Sequence, residues 1–309
     1  MTHHLTSRYY LQPGAFLQER FRVKNRASSF NEASIYYAYD EVNNKEVILT
    51  TTPKEDERMT RELRFLKHCS SIHGIPELIC TFESNGGKSG CLVTTMPGEF
   101  SSLVLSRSFW RISMRNTVRL CYHLFTLIDK VHDSGVMHRK TRATTVLAGL
   151  NSDGVLNLGL SSFGYASLID SPAPPAFGME NWDEQSIQVC RGEMYSRIDD
   201  FVSGLFIVMS SQNIFPFKAT RKNFETSQLE RKEKFEDDLY MVLSGNNAWM
   251  AELYMILNRM RNQERFNKME IFEHLEQVIP DFNPTSPFEH TTIVENYYEN
   301  VNQVKFALI

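Results

Sequence analysis

The residues most able to do chemistry stand in three short segments of the middle of the chain. His138-Arg139-Lys140 follows a segment with helical periodicity, Ser162-Phe163-Gly164 follows a predicted hairpin, and Asp199-Asp200 begins a strongly apolar run. Imidazole and carboxylate groups can act as acids or bases, and lysine and arginine can bind anions. Each segment alone is weak evidence for a functional site, because a lone His-Arg pair, for example, is usually a surface feature. Their meaning depends on the elements that position them.

The N-terminal part of the chain, from about residue 21 to 96, predicts short strands with one helix inserted. Aromatic and β-branched runs at 34–39 and 46–51 are separated by a turn signal and predict a hairpin. The charged segment that follows carries apolar residues at helical spacing through Leu66, which predicts an amphipathic helix of about three turns. A second hairpin is predicted to follow this helix, with strands at 78–82 and 91–94.

After Gly98 the pattern becomes mainly helical. Ser113 is a candidate N-cap for an amphipathic helix that ends at Ser134-Gly135. A later run is apolar on all sides, which is typical of a buried helix. The remaining predicted elements are a hairpin at 145–148 and 155–158, a long loop at 171–185, the buried helix at 201–209, and amphipathic helices at 229–243, 248–260 and 269–278.

Composition restricts the class of protein. The chain has 309 residues, 42% hydrophobic and 23% charged, which is typical of a globular protein with a sizeable core. A formal net charge of -4 argues against a global field that recruits nucleic acid or an anionic membrane. The five cysteines form no C-x-x-C pair, so neither a disulfide framework nor a metal site is predicted. No segment reaches the ~18 apolar residues of a membrane span, and we expect a soluble intracellular protein, cytoplasmic or nuclear.

In their order and spacing, these motifs resemble those of a protein kinase. His138-Arg139-Lys140 resembles the His-Arg-Asp catalytic loop, and Ser162-Phe163-Gly164 resembles the Asp-Phe-Gly motif. Glu62 resembles the glutamate of helix C, and Asp200 resembles the aspartate that opens the buried helix of the large lobe. The order of these motifs is more specific than any one of them.

The resemblance extends to the casein kinase I superfamily. His73-Gly74-Ile75-Pro76 and the phrase at 131–139 are similar to that superfamily, and its tau-tubulin-kinase-like branch is the nearest match. This implies an α+β, bilobal fold with a small β-rich N-lobe that contains one helix and a larger, mainly helical C-lobe. The predicted organisation is an N-terminal extension at 1–19, a kinase-like domain at 20–280 with its N-lobe at about 20–96 and its C-lobe at about 98–280, and a C-terminal tail at 281–309.

The positions that phosphoryl transfer requires carry other residues. By this resemblance, the β3 lysine is replaced by Thr50, the catalytic aspartate by Lys140, the catalytic-loop asparagine by Thr145 and the magnesium-binding aspartate by Ser162. Neither motif therefore keeps a carboxylate for a divalent cation. Lys140 also reverses the sign of the charge that should meet the substrate hydroxyl.

The same resemblance implies a vestigial nucleotide pocket. The loop that should cover the phosphates, residues 26–34, contains no glycine, so its side chains hinder the close approach of a phosphate. ATP is expected to bind weakly or not at all, and no cofactor is predicted. The pocket positions are Ser28, Ser29, Glu62, Thr94 as the gatekeeper, and Met96.

Other matched positions imply a structural role. In kinases the residues equivalent to Leu66, His138 and Phe163 stack into a column that joins the two lobes. The aspartate of the buried helix anchors this column. We expect Asp200 to accept backbone N–H bonds from the loop around His138 and Arg139. The structural set is Leu66, His138, Arg139, Phe163, Gly164 and Asp200.

Lys140 and a group of scattered basic residues leave several interpretations open. Lys140 could be a solvated loop charge, a plug paired with Glu62 or Asp153, or an anion contact; solvation is favoured because exposed pairs contribute only ~0–1 kcal/mol. An anion pocket like that of casein kinase I relatives could be formed by Lys67, Arg191 and Arg197, although a scattered basic surface is the commoner case.

The leading hypothesis is a catalytically inactive kinase-like protein, a pseudokinase, that acts as a protein-binding scaffold or regulator. Its protein partner is not specified by the sequence, and neither nucleic acid nor membrane is expected as a partner. One alternative is a weakly active or unconventional casein-kinase-I-like Ser/Thr kinase that uses a relocated lysine such as Lys24 or Lys45. Another is a nucleotide-binding switch that needs no metal ion.

Overall fold

The computed structural model describes residues 10–30, 33–84, 86–100, 112–171, 183–217, 227–261, 263 and 266–289, and these form two lobes. The N-terminal lobe is built on a twisted antiparallel sheet. Its strands are β1 (Phe16–Leu17), β2 (Phe21–Phe30), β3 (Ala33–Asp40), β4 (Lys45–Pro53), β5 (Leu78–Ser84) and β6 (Ser89–Thr95). Within the described residues the six strands follow the order β1-β2-β3-β4-β6-β5. Both predicted hairpins are present, and β1 adds part of the expected N-terminal extension to the sheet edge.

The two-residue alternation of strands decides which side chains face the space between the lobes. Tyr36 and Leu49 are opposite each other on β3 and β4, and both are buried in the core on one face of the sheet. Their neighbours Ile35 and Thr50 therefore share the other face, which lines the cleft between the lobes. The position expected for the β3 lysine thus lies on the cleft side of β4.

The N-lobe helix α1 (Glu57–His68) begins and ends where local chemistry places it. The side chain of Asp56 accepts a hydrogen bond from the backbone N–H of Arg58, which satisfies one of the free donors of the first turn. Phe65 and Leu66 are the residues that the helix buries. The helix has the three-turn length that its apolar periodicity predicts.

The C-terminal lobe is mainly helical, with two small sheets on the side of the cleft. Its helices include α2 (Met114–Asp133), α3 (Ile187–Cys190), α4 (Arg197–Ser211), α5 (Gln228–Asp237), α6 (Leu239–Val242), α7 (Ala248–Arg261) and α8 (Lys268–Gln277). The small sheets contain β7 (Glu99–Phe100), β8 (Val136–Met137), β9 (Val146–Leu150), β10 (Leu156–Leu160) and β11 (Ser167–Leu168), in the orders β10-β9-β7 and β11-β8. A 3-10 turn, Phe163–Tyr165, lies between β10 and β11.

Helix α4 is the centre of this lobe. It is buried on nearly every face, as its uniformly apolar sequence predicts, and α2 and α7 pack on it. Helix α2 begins at the predicted N-cap, where the Ser113 hydroxyl accepts the N–H of Asn116, and it ends at Ser134.

The single helix expected at 229–243 is wrong, because the structure has two helices there. Asp238 leaves the helical conformation, with φ -100° and ψ 15°, and separates α5 from α6. Phe235, Leu239 and Leu243 are all buried, so their four-residue spacing continues across the break and conceals it in the sequence. Most of the predicted loop at 171–185 lies outside the described residues.

The described residues past α8 remain on the domain. Residues 281–289, which we call the C-terminal strap, run along α2 and bond back to the turn between β9 and β10. This strap is part of the expected C-terminal tail. No helix in the described part of the chain is long and apolar enough to cross a membrane.

Candidate functional site

A small cleft lies between the two lobes, where the sequence motifs converge. Its volume is about 280 Å³, including space that is open to solvent. Side chains of β3, β4, β6 and α1 form one side, and the turn after β10 forms the other. The lining residues are Ile35, Ile48, Thr50, Glu62, Leu66, Pro76, Leu92, Thr94, Ser161 and Ser162.

The His138-Arg139-Lys140 loop is tied down by Asp200 at the start of α4. The Asp200 carboxylate accepts the backbone N–H of His138 and that of Arg139, each at 2.9 Å. The Thr141 hydroxyl donates at 3.1 Å and the Tyr195 hydroxyl at 2.7 Å to Oδ1 of the same carboxylate. Burial raises the pKa of Asp200, but the hydrogen bond from His132 Nε2 at 2.9 Å and those from the other donors outweigh burial, so the net pKa is lowered. Asp200 is therefore a fully buried anion, and the groups that donate hydrogen bonds to it are groups of the protein itself.

The His138 ring holds the other motif against this loop. Its Nε2 donates to the Ser161 carbonyl oxygen at 2.9 Å, and its ring meets that of Phe163 edge-on at 4.8 Å between centroids. Burial lowers the pKa of His138 to about 4, so the ring is neutral at physiological pH. Leu66 of α1 belongs to the same hydrophobic core as Phe163. Leu66, His138 and Phe163 thus join the two lobes.

Thr145, at the position that the resemblance assigns to the catalytic-loop asparagine, is buried, and its side chain bonds to its own loop. Its hydroxyl lies 2.8 Å from the carbonyl oxygen of Lys140 and 3.0 Å from that of Arg142. The backbone N–H of Arg142 donates to the same hydroxyl at 3.1 Å. The residue stabilises the loop rather than presenting an oxygen to the cleft.

Glu62 bridges α1 and the Ser162-Phe163-Gly164 turn. Its carboxylate accepts the backbone N–H groups of Ser162 and Phe163. Burial raises the pKa of Glu62 to about 7, against the opposing effects of the Lys140 charge and of these two N–H groups. The residue as a whole is half-buried.

Lys140 is not the solvated loop charge that we favoured from the sequence. It is half-buried, and its ammonium group lies 4.8 Å from the centre of the Tyr165 ring, in the geometry of a cation–π contact. Its charge also acts on Glu62. Asp153, the other partner considered, is exposed in the turn between β9 and β10. A cation in a partly desolvated site thus stands at the position that the resemblance assigns to the catalytic carboxylate.

Further bonds clamp α1 to the turn after β10. Arg61 Nη1 donates to the carbonyl oxygen of Gly164 at 3.1 Å, and Arg58 Nη1 donates to the Tyr165 hydroxyl at 3.2 Å. A Cβ at Gly164 would lie 3.2 Å from Arg58 Cβ, so glycine is what permits the helix to approach this closely. The sequence does not reveal this clamp, because its acceptors, a backbone carbonyl and a tyrosine hydroxyl, are distant from the two arginines in the chain.

The mouth of the cleft is closed by a direct contact between the lobes. Ile48 of β4 and Leu147 of β9 are both buried, with 4% and 0% of their surface exposed, and they form one hydrophobic cluster. Ile35, Tyr37 and Met96 pack against this cluster. The upper and lower apolar walls therefore touch each other.

The remaining pocket positions are dispersed around this contact. Thr94 is buried on β6, and Thr50 is half-buried beside it in the cleft lining. Ser28 and Ser29 lie on β2, opposite Ile35 and Ser34 of β3. Lys24, one of the relocated lysines considered, pairs with Glu46 at 2.7 Å on the exposed surface of the sheet. Lys45 is exposed at the start of β4.

The three basic residues considered as an anion pocket have separate surroundings. Lys67 is exposed on α1, Arg191 pairs with Glu233 at 2.9 Å, and the Arg197 guanidinium lies 5.3 Å from the centre of the Phe266 ring. Within the described residues, no group of three or more His, Cys, Asp or Glu side chains is placed to hold a metal ion.

Comparison with known proteins identifies the fold alone. No protein-family model matches the sequence, and no curated protein matches it. A solved structure, "Structure of vaccinia related kinase 3", matches with a TM-score of 0.70 and 16% sequence identity. The match covers 92% of this chain and 96% of that one. The chain therefore has the bilobal protein-kinase fold, as the motifs predict.

Proposed function

We propose that the chain is a catalytically inactive protein-kinase-like protein, a degenerate relative of the casein kinase I superfamily, which acts as a protein-binding scaffold or regulator. The observation that carries this proposal is the environment of Lys140, a half-buried cation over the Tyr165 ring at the position of the catalytic base. A lysine there repels the magnesium ions and cannot accept the hydroxyl proton of a substrate while it is charged.

The other catalytic positions support the same proposal. Phosphoryl transfer depends on positioned charges that lower the barrier by ~8 kcal/mol or more. Thr50 and Ser162 place neutral hydroxyls in the cleft lining, and the hydroxyl of Thr145 forms a hydrogen bond within its own loop. The Glu62 carboxylate bonds to the turn after β10. None of these side chains supplies the charge that the reaction requires.

The contact between Ile48 and Leu147 argues against strong nucleotide binding. A planar base inserted between these side chains would have to separate the lobes and expose the cluster to water. The cleft that remains reaches about 280 Å³ only when space open to solvent is counted, so its enclosed part is smaller than a ligand pocket requires. We therefore expect the lobes to stay together without nucleotide.

The first test is a phosphoryl-transfer assay on the purified full chain, with casein and with the protein itself as acceptor, in magnesium and in manganese. We expect no transfer of the γ-phosphate above background. Transfer that disappears in Lys24→Ala or Lys45→Ala, but not in the exposed control Lys130→Ala, would refute the proposal in favour of a kinase with a relocated lysine.

The second test measures partner binding. Proteins that co-purify with the wild-type chain should also co-purify with Thr50→Ala and Ser162→Ala, because neither residue is expected to serve chemistry. The folded fraction of each variant must be measured in the same samples. Loss of the partner in a folded Ser162→Ala variant would assign the cleft a direct role in binding.

A second candidate function is a nucleotide-binding switch that needs no metal ion, with the residual cleft and the Lys140 cation beside it as the site. A ligand that binds the native state alone stabilises it by about 0.4 kcal/mol when its concentration equals Kd. Millimolar ATP without metal should then leave the melting temperature almost unchanged if the scaffold proposal is right. A rise of several degrees would favour the switch.

A further inference from the structure

The C-terminal strap lies in a groove on α2, and side chains at the floor of this groove form hydrogen bonds with the backbone of the strap. The side-chain amide of Asn116 accepts the N–H of Glu289 at 3.0 Å and donates to the Glu289 carbonyl oxygen at 2.9 Å. The hydroxyl of Ser113 donates to the Glu289 carboxylate at 3.0 Å. One buried amide thus satisfies both backbone groups of one strap residue, as a neighbouring strand would.

The next polar residues along α2 continue this pattern. Arg119 and His123 follow Asn116 at the three- and four-residue steps that place side chains on one helix face. The guanidinium of Arg119 donates to the carbonyl oxygens of Asn283 and Pro287 at 3.4 and 3.3 Å. His123 Nε2 donates to the Pro284 carbonyl oxygen at 2.8 Å. Helix α2 therefore presents a polar stripe whose side chains bond to the backbone of the strap along its length.

Aromatic and charged contacts hold the two ends of the strap. The ring of Phe282 lies 5.2 Å from that of Tyr122, and the N–H of Phe288 donates to the Gly154 carbonyl oxygen at 2.8 Å. The Glu289 carboxylate, 43% exposed, lies 3.7 Å from Arg119 and also faces Arg115. The ion pairs at the rim are therefore solvated and weak.

The strap covers the groove, and its half-buried Phe282 and Phe288 pack against the core. Its residues alternate between exposed and half-buried, and none of residues 281–289 is fully buried. The groove residues beneath it, Asn116 and Arg119, keep only 2% and 5% of their surface exposed. Because these side chains are polar, water can solvate them when the strap departs, which is not true of an apolar core. The strap can therefore open at a lower free energy than the domain unfolds.

A hinge separates the strap from α8. Pro280 cannot continue the helix, and Asp281 has φ +54°, a left-handed conformation that costs a residue with a side chain free energy. A short, strained hinge before a segment with separable contacts is the arrangement that favours exchange of that segment between chains.

We propose that α2 carries an exchangeable peptide-docking groove, and that its second occupant is the strap of another copy of this chain, which produces a strap-exchanged dimer. The occupant is a second copy because the strap of this chain already fits the groove. Its backbone groups bond to α2, its aromatic residues Phe282 and Phe288 anchor it, and its Glu289 carboxylate faces basic side chains. The inference does not depend on whether the cleft is catalytic.

The experiment uses two full-length variants with complementary defects. Asn116→Leu removes the groove amide but keeps an intact strap, and Glu289→Pro removes the strap N–H but keeps an intact groove. The two carry different tags and are mixed at high concentration under mild warming, then separated by size with mass measured by light scattering. We expect a heterodimer of twice the 35.8 kDa of one chain in the mixture, and mainly monomer for each variant alone.

The controls separate exchange from other association. Lys130→Ala, an exposed change on α2 outside the groove, should behave as the wild type does. Only monomers in the mixture, with both variants folded, would overturn the proposal. Equal dimer in each variant alone would also overturn it, because the contact would then lie on another surface.

A second measurement is independent of whether Asn116→Leu folds. A fluorescent peptide with the sequence of residues 281–289 is titrated into full-length Glu289→Pro and into the wild type, and its anisotropy is measured. We expect at least tenfold tighter binding to Glu289→Pro, because its own strap competes less. Equal binding to the two proteins, or none to either, would overturn the proposal.

Discussion

Replacement of Asp200 by alanine tests whether the kinase-like motifs now serve the fold. The substitution removes the acceptor for the backbone N–H groups of His138 and Arg139, and for the side chains of His132, Thr141 and Tyr195. Hydroxyls can rotate toward other acceptors, but the two N–H groups are fixed by the loop. Asp200 is fully buried, so water does not replace it without a rearrangement.

The expected loss of stability follows from these donors. A buried donor without a partner costs ~1–3 kcal/mol, so two of them cost about 2–6 kcal/mol. This is a large part of the total stability of a domain, which is ~5–15 kcal/mol. At about 2–4 °C per kcal/mol for a chain of this size, we expect Asp200→Ala to melt roughly 10 °C below the wild type.

The assay is equilibrium unfolding in urea followed by circular dichroism, with thermal melting as a check. Asp200→Asn keeps the shape but directs an N–H₂ group at some of the donors, so we expect it to lose nearly as much. Asp237→Ala, an exposed change on α5, should stay within about 0.5 kcal/mol of the wild type. If Asp200→Ala also stays within that range, the loop is held by other contacts and the reasoning is wrong.

Three further substitutions test the cleft and the lobe contacts, and a fourth serves as a control. Since burial raises the pKa of Glu62 from its ordinary value near 4.5 to about 7, protonated Glu62 favours the fold at low pH, and ~1–3 kcal/mol is lost as pH rises through 7. Glu62→Gln should therefore show a flatter dependence of unfolding free energy on pH between 5 and 7; an unchanged slope contradicts this. Ile48→Ala should lose about 2–4 kcal/mol and open a slot between the lobes, so that adenosine raises the melting temperature of the variant but not of the wild type; no shift in either would count against the slot. In Gly74→Ala the new Cβ would lie 2.5 Å from the Leu158 carbonyl oxygen at φ +98°, so we expect a loss of roughly 3 kcal/mol or more in urea unfolding. Gly135→Ala, at φ +83° with open space around it, should lose only about 1 kcal/mol, and equal losses would contradict the clash.

The fold was largely predictable because its elements are specified locally. The Ser113 cap, the apolar face of α2 and the turn residues of the hairpins each act within a few residues of the chain. The break at Asp238 was not predictable, since Phe235 and Leu239 keep helical spacing across it. What decides that break is how α6 packs on α7, which is a property of the folded lobe.

The site was predictable as a set of positions but not as a set of contacts. Matched motifs placed Glu62 and Lys140 near each other, yet their actual partners are the N–H groups of Ser162 and Phe163 and the ring of Tyr165. Backbone donors have no signature in the sequence. Solvation was favoured for Lys140 because exposed ion pairs contribute little stability, and only the folded position shows that this lysine is half-buried.

The kinase positions that this chain keeps differ physically from those it has lost. Asp200, His138 and Phe163 have partners inside the protein, so each replacement leaves buried groups unsatisfied whether or not any ligand is present. In an active kinase, the residues at Thr50 and Ser162 would instead act on a nucleotide or a metal ion. Their replacement costs the fold little, because water or nearby side chains take over. A chain that has to fold and present a surface, but not transfer phosphate, retains the residues with partners inside the protein. It is free to lose the residues that act on a nucleotide or a metal ion. The cation at Lys140, tolerated beside an aromatic ring at the former site of a carboxylate, is the result expected under that condition.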